Sequence, residues 1–168
     1  DGAGIGAQPD RAFRRHGRGN GYAQNDVLLF TAWVAHYISD AHVPFHAVVN
    51  HDGQLTGQRG IHARFESATF ERYRDRLRVA PMPIMPVQHP RDFTFAAILE
   101  GSRLAPTILD ADRRALGADG GYDERYYDAF FQAIRPVMEQ RLNESIAAVA
   151  AIVAGAWNAA GQPSVPTR

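Results

Sequence analysis

The sequence contains no cysteine, no lysine and no long apolar run. Without cysteine, disulfides, thiolate nucleophiles and thiolate metal ligands are excluded, which leaves imidazole and carboxylate groups as metal ligands. The 18 basic residues are all arginine and balance 18 acidic residues, so the formal net charge is zero and predicts no general affinity for nucleic acid or anionic membranes. The longest apolar stretch, residues 146–157, is shorter than the roughly 20 residues of a bilayer span. We therefore predict no membrane-spanning helix.

The composition is that of one ordinary globular domain. The chain has 168 residues, of which 45% are hydrophobic and 21% are charged. The first residues are rich in glycine and arginine and show neither a helical nor a strand period. We predict an irregular N-terminal edge over residues 1–21, a single domain over residues 22–161 and a tail over residues 162–168.

Apolar residues recur at steps of three and four along most of the domain, which predicts helices. The first, residues 27–38, is apolar on so many positions that we expect it to be buried. The second covers residues 61–77. The third covers residues 92–109, either as one continuous helix or as a helix that stops and starts again. The last, residues 123–160, is one long helix kinked near Pro136 or two helices in sequence.

Proline and glycine separate these helices. A stiff connector is expected where four prolines follow one another, at Pro81, Pro83, Pro86 and Pro90. Strand signals are nearly absent, and no internal repeat is found. The sequence therefore predicts an all-α fold with orthogonal or bundle-like packing.

Histidine is concentrated in one part of the chain. Five of the seven histidines fall within residues 36–62: His36, His42, His46, His51 and His62. Two acid partners follow at helical spacing, since Asp40 is four residues after His36 and Glu66 is four residues after His62. This spacing places an imidazole and a carboxylate on the same helix face, where both can bind one cation.

Each pair alone has a simpler interpretation. A His/Asp pair at this spacing is commonly a surface ion pair that contributes a few tenths of a kcal/mol. Two pairs in one window favour a metal site, and Asp40 lies in a strongly apolar helix, where a carboxylate needs a partner or a metal to offset desolvation. Imidazole and carboxylate ligands without thiolate favour Zn²⁺, with Mn²⁺ and Fe²⁺ as alternatives.

The spacing of these residues resembles that of a known family. The pattern His36-x3-Asp40-x5-His46, followed by His62-x3-Glu66, is similar to the metal core of the zinc-dependent phospholipase C superfamily, which includes the single-strand-specific zinc nucleases. The resemblance covers residues 20–80 by motif and the later helices by general character. It implies an all-α fold that binds up to three zinc ions and hydrolyses phosphoric esters.

By this resemblance, His36 and Asp40 match ligands of a buried zinc, and Asp40 is the bridging carboxylate and the catalytic candidate. His46, His62 and Glu66 match the ligands of a further zinc. The nuclease branch usually has Asp at the last position, so Glu66 leans towards the phospholipase branch.

The sequence also departs from the family. The N-terminal Trp, the early His and the first-half Asp and His ligands of the family have no counterpart, and Asp1 stands where the Trp would be. The chain thus resembles the C-terminal two-thirds of a family member. His36 and Asp40 supply too few ligands to hold zinc well, whereas His46, His62 and Glu66 supply three and leave a fourth position for water. We therefore expect one bound zinc ion, held by these three donors, and weak or no turnover.

Other polar residues surround the proposed ligands. We expect four of them to act as hydrogen-bonding partners of the ligands or as loop residues: His42, Asn50, His51 and Asp52. Arg59 and Arg64 are candidates for contacting a substrate phosphate, and the alternative is that both are solvated charges at a helix start.

The resemblance predicts a zinc-dependent phosphoric ester hydrolase of phospholipase C or nuclease type that acts on a phosphate ester. The sequence leaves phospholipid and nucleic acid substrates open. It also leaves open a non-catalytic helical module that a metal ion stabilises. Secretion or a periplasmic location is expected from the resemblance alone.

Overall fold

The computed structural model describes residues 20–80, 82–118 and 120–164. These residues are helical and contain no strand, which confirms the all-α prediction. The main helical segments are α1 (Asn20–Ala41), α2 (residues 61–76), α3 (Pro90–Leu116) and α4 (Glu124–Ala159), with a 3₁₀ turn, Pro44–Ala47, after α1. The predicted N-terminal edge lies outside the described residues except for positions 20 and 21, which begin α1, and the tail is described only as far as position 164.

The chain divides into two compact units, Asp1–Val34 and Ala35–Arg168. The described part of the first unit is the start of α1. The second unit contains the end of α1 and every later element, and it holds all the candidate site residues.

The prediction that α1 is buried is wrong for most of its length. Val27, Leu28 and Trp33 are 64%, 68% and 54% exposed, and Tyr37 is 66% exposed. Only towards its end does the helix enter the core, where Ile38 is 7% exposed. Hydrophobic spacing shows which residues a helix is able to bury, and it carries no information on whether a surface covers them.

The α2 segment is helical throughout, but its type changes along the chain. It is α-helical over Ile61–Ala63, π-helical over Arg64–Thr69, α-helical again over Phe70–Tyr73 and 3₁₀ over Arg74–Arg76. In the π turn the Thr69 hydroxyl donates a hydrogen bond to the Arg64 carbonyl at 2.6 Å, which satisfies a carbonyl group in the widened turn.

The ends of α3 and α4 follow from sequence signals. Pro90 occupies the first turn of α3, where its missing N–H is not needed, and Gly117 ends the helix with a φ of 62°. Asp123 caps α4 by accepting a hydrogen bond from the Tyr126 amide at 2.9 Å. Both helices are continuous through their internal prolines, so the last segment is one helix.

The proline-rich connector crosses α4 at a glycine. The Val87 amide donates a hydrogen bond to the Ala151 carbonyl at 3.0 Å. A Cβ atom on Gly155 would lie 2.0 Å from the Val87 carbonyl oxygen, so the close crossing requires glycine at this position.

The core of the second unit joins the 3₁₀ turn to α2, α3 and α4. Phe45, Ile61, Ile108 and Phe130 are fully buried within it. Aromatic rings connect the elements, as where Tyr73 of α2 stacks on Phe131 of α4 with ring centroids 4.3 Å apart.

A buried carboxylate ties three of these elements together. Asp112 of α3 has no exposed surface, and it accepts hydrogen bonds from Arg64 Nη2 at 3.0 Å and the Tyr126 hydroxyl at 2.5 Å. Gln58, in the loop before α2, donates to its other oxygen at 2.7 Å. Burial lowers the pKa of Arg64, but the combined influence of Asp112, Tyr126 and Tyr122 raises it overall, so the guanidinium remains charged.

In the described part of the chain, no helix is both long and apolar enough to cross a bilayer.

We predict that Asp112→Asn lowers the free energy of unfolding by about 3–5 kcal/mol, because it leaves the Arg64 charge buried without its counter-ion. Urea denaturation measures the change. Asp110→Asn is the matched control, since Asp110 lies on the same helix and forms an exposed ion pair with Arg113. A loss for Asp112→Asn within about 1 kcal/mol of the control loss would contradict the prediction.

We also predict that stability falls above about pH 10, because the unfolded chain ionises its tyrosines there before the folded chain does. Burial and a hydrogen bond to Asp128 raise the pKa of Tyr73 to about 12, and burial and Asp112 raise that of Tyr126. The contribution of these two tyrosines to the free energy of unfolding is complete below their pKa in the unfolded chain. It is lost as the pH rises through their higher pKa in the folded chain. Tyr73 alone accounts for about 1 kcal/mol between about pH 9 and about pH 11.

Denaturation at the two pH values tests this effect, and the absence of lysine leaves tyrosine as the side chain that titrates in this range. Tyr73→Phe should reduce the slope of stability against pH. Tyr37→Phe, at an exposed position, is the control and should retain the slope. Equal slopes for the two variants would show that Tyr73 is not responsible.

Candidate metal centre

Three of the five predicted ligands converge on one point. His46 comes from the 3₁₀ turn after α1, and His62 and Glu66 lie one turn apart on α2. One ligand atom from each lies within 4.8 Å of the other two. The two imidazoles are 30% and 26% exposed, so the group lies at the protein surface, where an ion and a substrate have access.

Buried neighbours bring the 3₁₀ turn against α2. Phe45, next to His46, has no exposed surface and packs edge-on against Phe65 at a centroid distance of 5.9 Å. As a consequence the rings of His46 and His62 are 4.8 Å apart. Burial of Phe45 and Phe65 therefore sets the separation of the two imidazoles.

The orientation of His46 is suited to metal binding. Its Nδ1 lies 3.1 Å from the Asp40 carbonyl oxygen, which can only accept, so Nδ1 carries the proton in this contact. The Nε2 atom, 3.5 Å from Glu66 Oε2, is left with its lone pair towards the centre of the group. Metal-bound histidines commonly have this arrangement, with the second nitrogen fixed by a carbonyl or carboxylate.

The distances among the donors suit a small divalent ion. Ligands of a tetrahedral zinc ion, bound at about 2.0–2.2 Å, lie about 3.3–3.6 Å from one another. The His46–Glu66 contact of 3.5 Å already fits this value. His62 Nε2 and Glu66 Oε2 are closer, at 2.8 Å, and share a hydrogen bond that an ion would replace. The three donor atoms lie within 4.8 Å of one another, so the side chains would have to move closer together for all three to bind one zinc ion.

The other two predicted ligands extend this group in a line. Asp40 lies between two imidazoles, with its carboxylate 3.5 Å from His36 Nε2 and 3.9 Å from His46 Nδ1. His36 is 68% exposed and reaches the group only through Asp40. The five residues thus form one continuous chain of titratable groups, and the three-donor group is at one end of it.

A cavity of about 220 Å³ opens beside Glu66. Its walls are mostly apolar and include Phe65, Phe70 and Leu142.

The prediction that Arg64 contacts a substrate phosphate is wrong, because the side chain is buried. The residue is 8% exposed, and besides Asp112 its guanidinium donates to the carbonyl groups of Gln58 and Arg59. Its hydrogen-bonding capacity is used in the interior. Arg59 is exposed, and its carbonyl takes part in holding Arg64.

Of the two roles expected for the four residues around the ligands, Asn50, His51 and Asp52 have the loop role, and His42 makes a backbone contact. Asn50 accepts a hydrogen bond from the Leu55 amide at 2.7 Å, and His51 contacts Gln54. The Asp52 amide bonds to Gln54 as well, so these residues shape the loop before α2. His42 is buried, and its Nδ1 donates to the Ile38 carbonyl at 2.7 Å. Burial lowers the pKa of His42, which favours the neutral ring.

One residue that supports the site was missed in the sequence. Arg141 of α4 is 4% exposed, and its guanidinium donates to the His42 carbonyl at 3.0 Å and to the Ala97 carbonyl at 2.9 Å. It also forms an ion pair with Glu144. Arg141 thereby fixes the end of α1, from which His46 is positioned. No local signal reveals it, because its partner His42 is 99 residues away.

Comparisons with family models, with curated proteins and with solved structures find no match to this chain.

Proposed function

We propose that His46, His62 and Glu66 bind a divalent metal ion, with zinc as the preferred ion. The observation that carries the proposal is the convergence of their three donor atoms within 4.8 Å, from two separate elements of the fold. Two imidazoles and a carboxylate are a common catalytic zinc ligand set, which leaves a further position open.

We further propose that the chain is a zinc-dependent phosphoric ester hydrolase. A bound zinc ion supplies a Lewis acid that activates water and stabilises charge on a phosphoryl group. Supporting features are the spacing of the ligands, which resembles that of the zinc-dependent phospholipase C superfamily, and the cavity beside Glu66. Phospholipids and nucleic acids both offer the phosphate ester that this site would take.

Asp40 is the side chain that we assign to proton transfer. Its carboxylate is 38% exposed and lies 3.9 Å from His46 Nδ1, so it reaches solvent at the edge of the proposed site. Oδ1 of Asp40 would accept a proton from an attacking water, and His36 Nε2, 3.5 Å from Oδ2, would help to hold the carboxylate in position. In this role Asp40 moves a proton and does not hold the ion.

A second candidate function is that of a metal-stabilised helical module without catalysis. It is favoured by the origin of the ligands, because His46 belongs to the turn after α1 and the other two belong to α2. An ion bound to all three would crosslink these elements and stabilise the folded chain by mass action.

We predict that the chain binds one zinc ion and that His62→Ala weakens the affinity about 100-fold or more, because two donors remain of three. Calorimetric titration after dialysis against a chelator measures both values. His89→Ala is the control, since His89 is exposed and lies outside the group. Full zinc affinity in His62→Ala would show that the three donors do not form the site.

We also predict zinc-dependent hydrolysis of bis(p-nitrophenyl) phosphate, which a chelator abolishes and added zinc restores. Asp40→Asn should retain the zinc ion and lose about 100-fold or more in kcat, because the proton acceptor is removed. The absorbance of nitrophenolate measures the rate, and the bound zinc is determined on the same samples. One bound zinc ion per chain with no turnover would instead support the non-catalytic module.

A further inference from the structure

A second cavity lies away from the three-donor group, where the proline-rich connector passes over α3 and α4. Its volume is about 370 Å³, which is within the range of small-molecule pockets, about 300–1,000 Å³. The connector contributes Met82 and Met85, α3 contributes Phe93, and α4 contributes alanines such as Ala147. The crossing of Val87 over Gly155 holds the connector against α4.

The polar groups of this cavity are hydrogen-bond acceptors. The carboxylates of Glu100 and Glu144 line it together with the imidazole of His42. Nδ1 of His42 donates to the Ile38 carbonyl, which leaves Nε2 with a lone pair, and no hydrogen bond to Nε2 is found in the described part of the chain. His42 is 5% exposed, and its side chain lines both this cavity and the cavity beside Glu66.

The cavity also has a surplus of negative charge. Arg141 lies behind the two carboxylates, 3.5 Å from Glu100 and in a hydrogen bond with Glu144. It is not part of the lining. One guanidinium therefore faces two carboxylates, which leaves about one negative charge for a ligand to neutralise.

We propose that this cavity binds a small primary ammonium ion with an apolar body. A primary ammonium group offers three N–H donors for His42, Glu100 and the remaining lone pairs of Glu144, whose two oxygens already accept from Gln140 and Arg141. Methionine and phenylalanine side chains suit the apolar body, and the Phe93 ring also favours a cation near its face. His46, His62 and Glu66 do not line this cavity, although His42 lies between it and the cavity beside Glu66. The proposal does not depend on the proposed hydrolase function.

The three methionines allow a direct test by NMR of ¹³C-methyl-labelled protein. Met82 and Met85 line this cavity, whereas Met138 lines the cavity beside Glu66 and serves as the internal control. With hexylammonium as the probe, we expect saturable shifts of Met82 and Met85, no shift of Met138 and a Kd on the order of a millimolar. A chelator should leave these shifts unchanged. Absence of saturable shifts would overturn the proposal.

Related probes test the chemistry of recognition. N,N,N-trimethylhexylammonium keeps the charge without N–H donors and 1-hexanol keeps the body without the charge, so both should bind about tenfold more weakly. Nα-acetyl-lysine amide tests a protein lysine as the source of the amine and should also bind more weakly. Equal affinity for hexylammonium and either analogue, or tighter binding of the lysine probe, would contradict a site for a small free amine.

Variants test the individual residues. Glu100→Gln should weaken hexylammonium binding about tenfold through the lost charge, whereas Glu71→Gln, an exposed change on α2, should leave it unchanged. Ala147→Phe should abolish binding by filling the cavity, and His42→Phe should weaken it by removing Nε2. If His42→Phe does not fold, the comparison of Glu100→Gln with Glu71→Gln tests the proposal. Unchanged hexylammonium affinity in Glu100→Gln would overturn it.

Discussion

The burial of one carboxylate constrains the part of the structure that carries the three-donor group. Asp112 has no exposed surface, and its hydrogen bonds reach the loop before α2 through Gln58, α2 through Arg64 and α4 through Tyr126. Arg64 lies between His62 and Glu66 in the chain, and its guanidinium points into the core. Because successive helical positions point in different directions, anchoring Arg64 inward turns His62 and Glu66 towards the surface. The orientation of His62 and Glu66 thus depends on the contact between Arg64 and Asp112 in the interior.

Such an ion pair contributes more to position than to net stability. Removing two charges from water costs several kcal/mol, so a buried pair is often no more stabilising than apolar residues of the same volume. Asp112 and Arg64 differ from apolar residues in requiring directed hydrogen bonds. Those bonds fix the rotation of α2 at the turn where the helix widens to π-helical geometry, next to Glu66. This constraint explains why the atoms of the three-donor group converge although they come from two elements.

Local signals in the sequence were enough to predict the helices but not their surroundings. Pro90, Gly117 and Asp123 mark helix ends because each acts on the backbone beside it. The His62–Glu66 spacing was equally readable, because both residues lie on one helix. Burial of α1 was mispredicted, and the interior role of Arg64 was missed, because both depend on distant parts of the chain: Asp112 is 48 residues from Arg64. Local periodicity carries no information about such partners.

The end of α1 shows how backbone groups determine the chemistry of both sites. The last carbonyls of a helix have no partner within it and need donors from elsewhere. Here the Ile38 carbonyl accepts from His42 Nδ1, and the Asp40 carbonyl accepts from His46 Nδ1 in addition to the Val43 amide. Each imidazole thereby donates to a carbonyl through Nδ1 and is left with a lone pair on Nε2, which for His46 lies 3.5 Å from Glu66. A single helix terminus therefore selects the tautomer of two imidazoles, one in each of the two proposed sites.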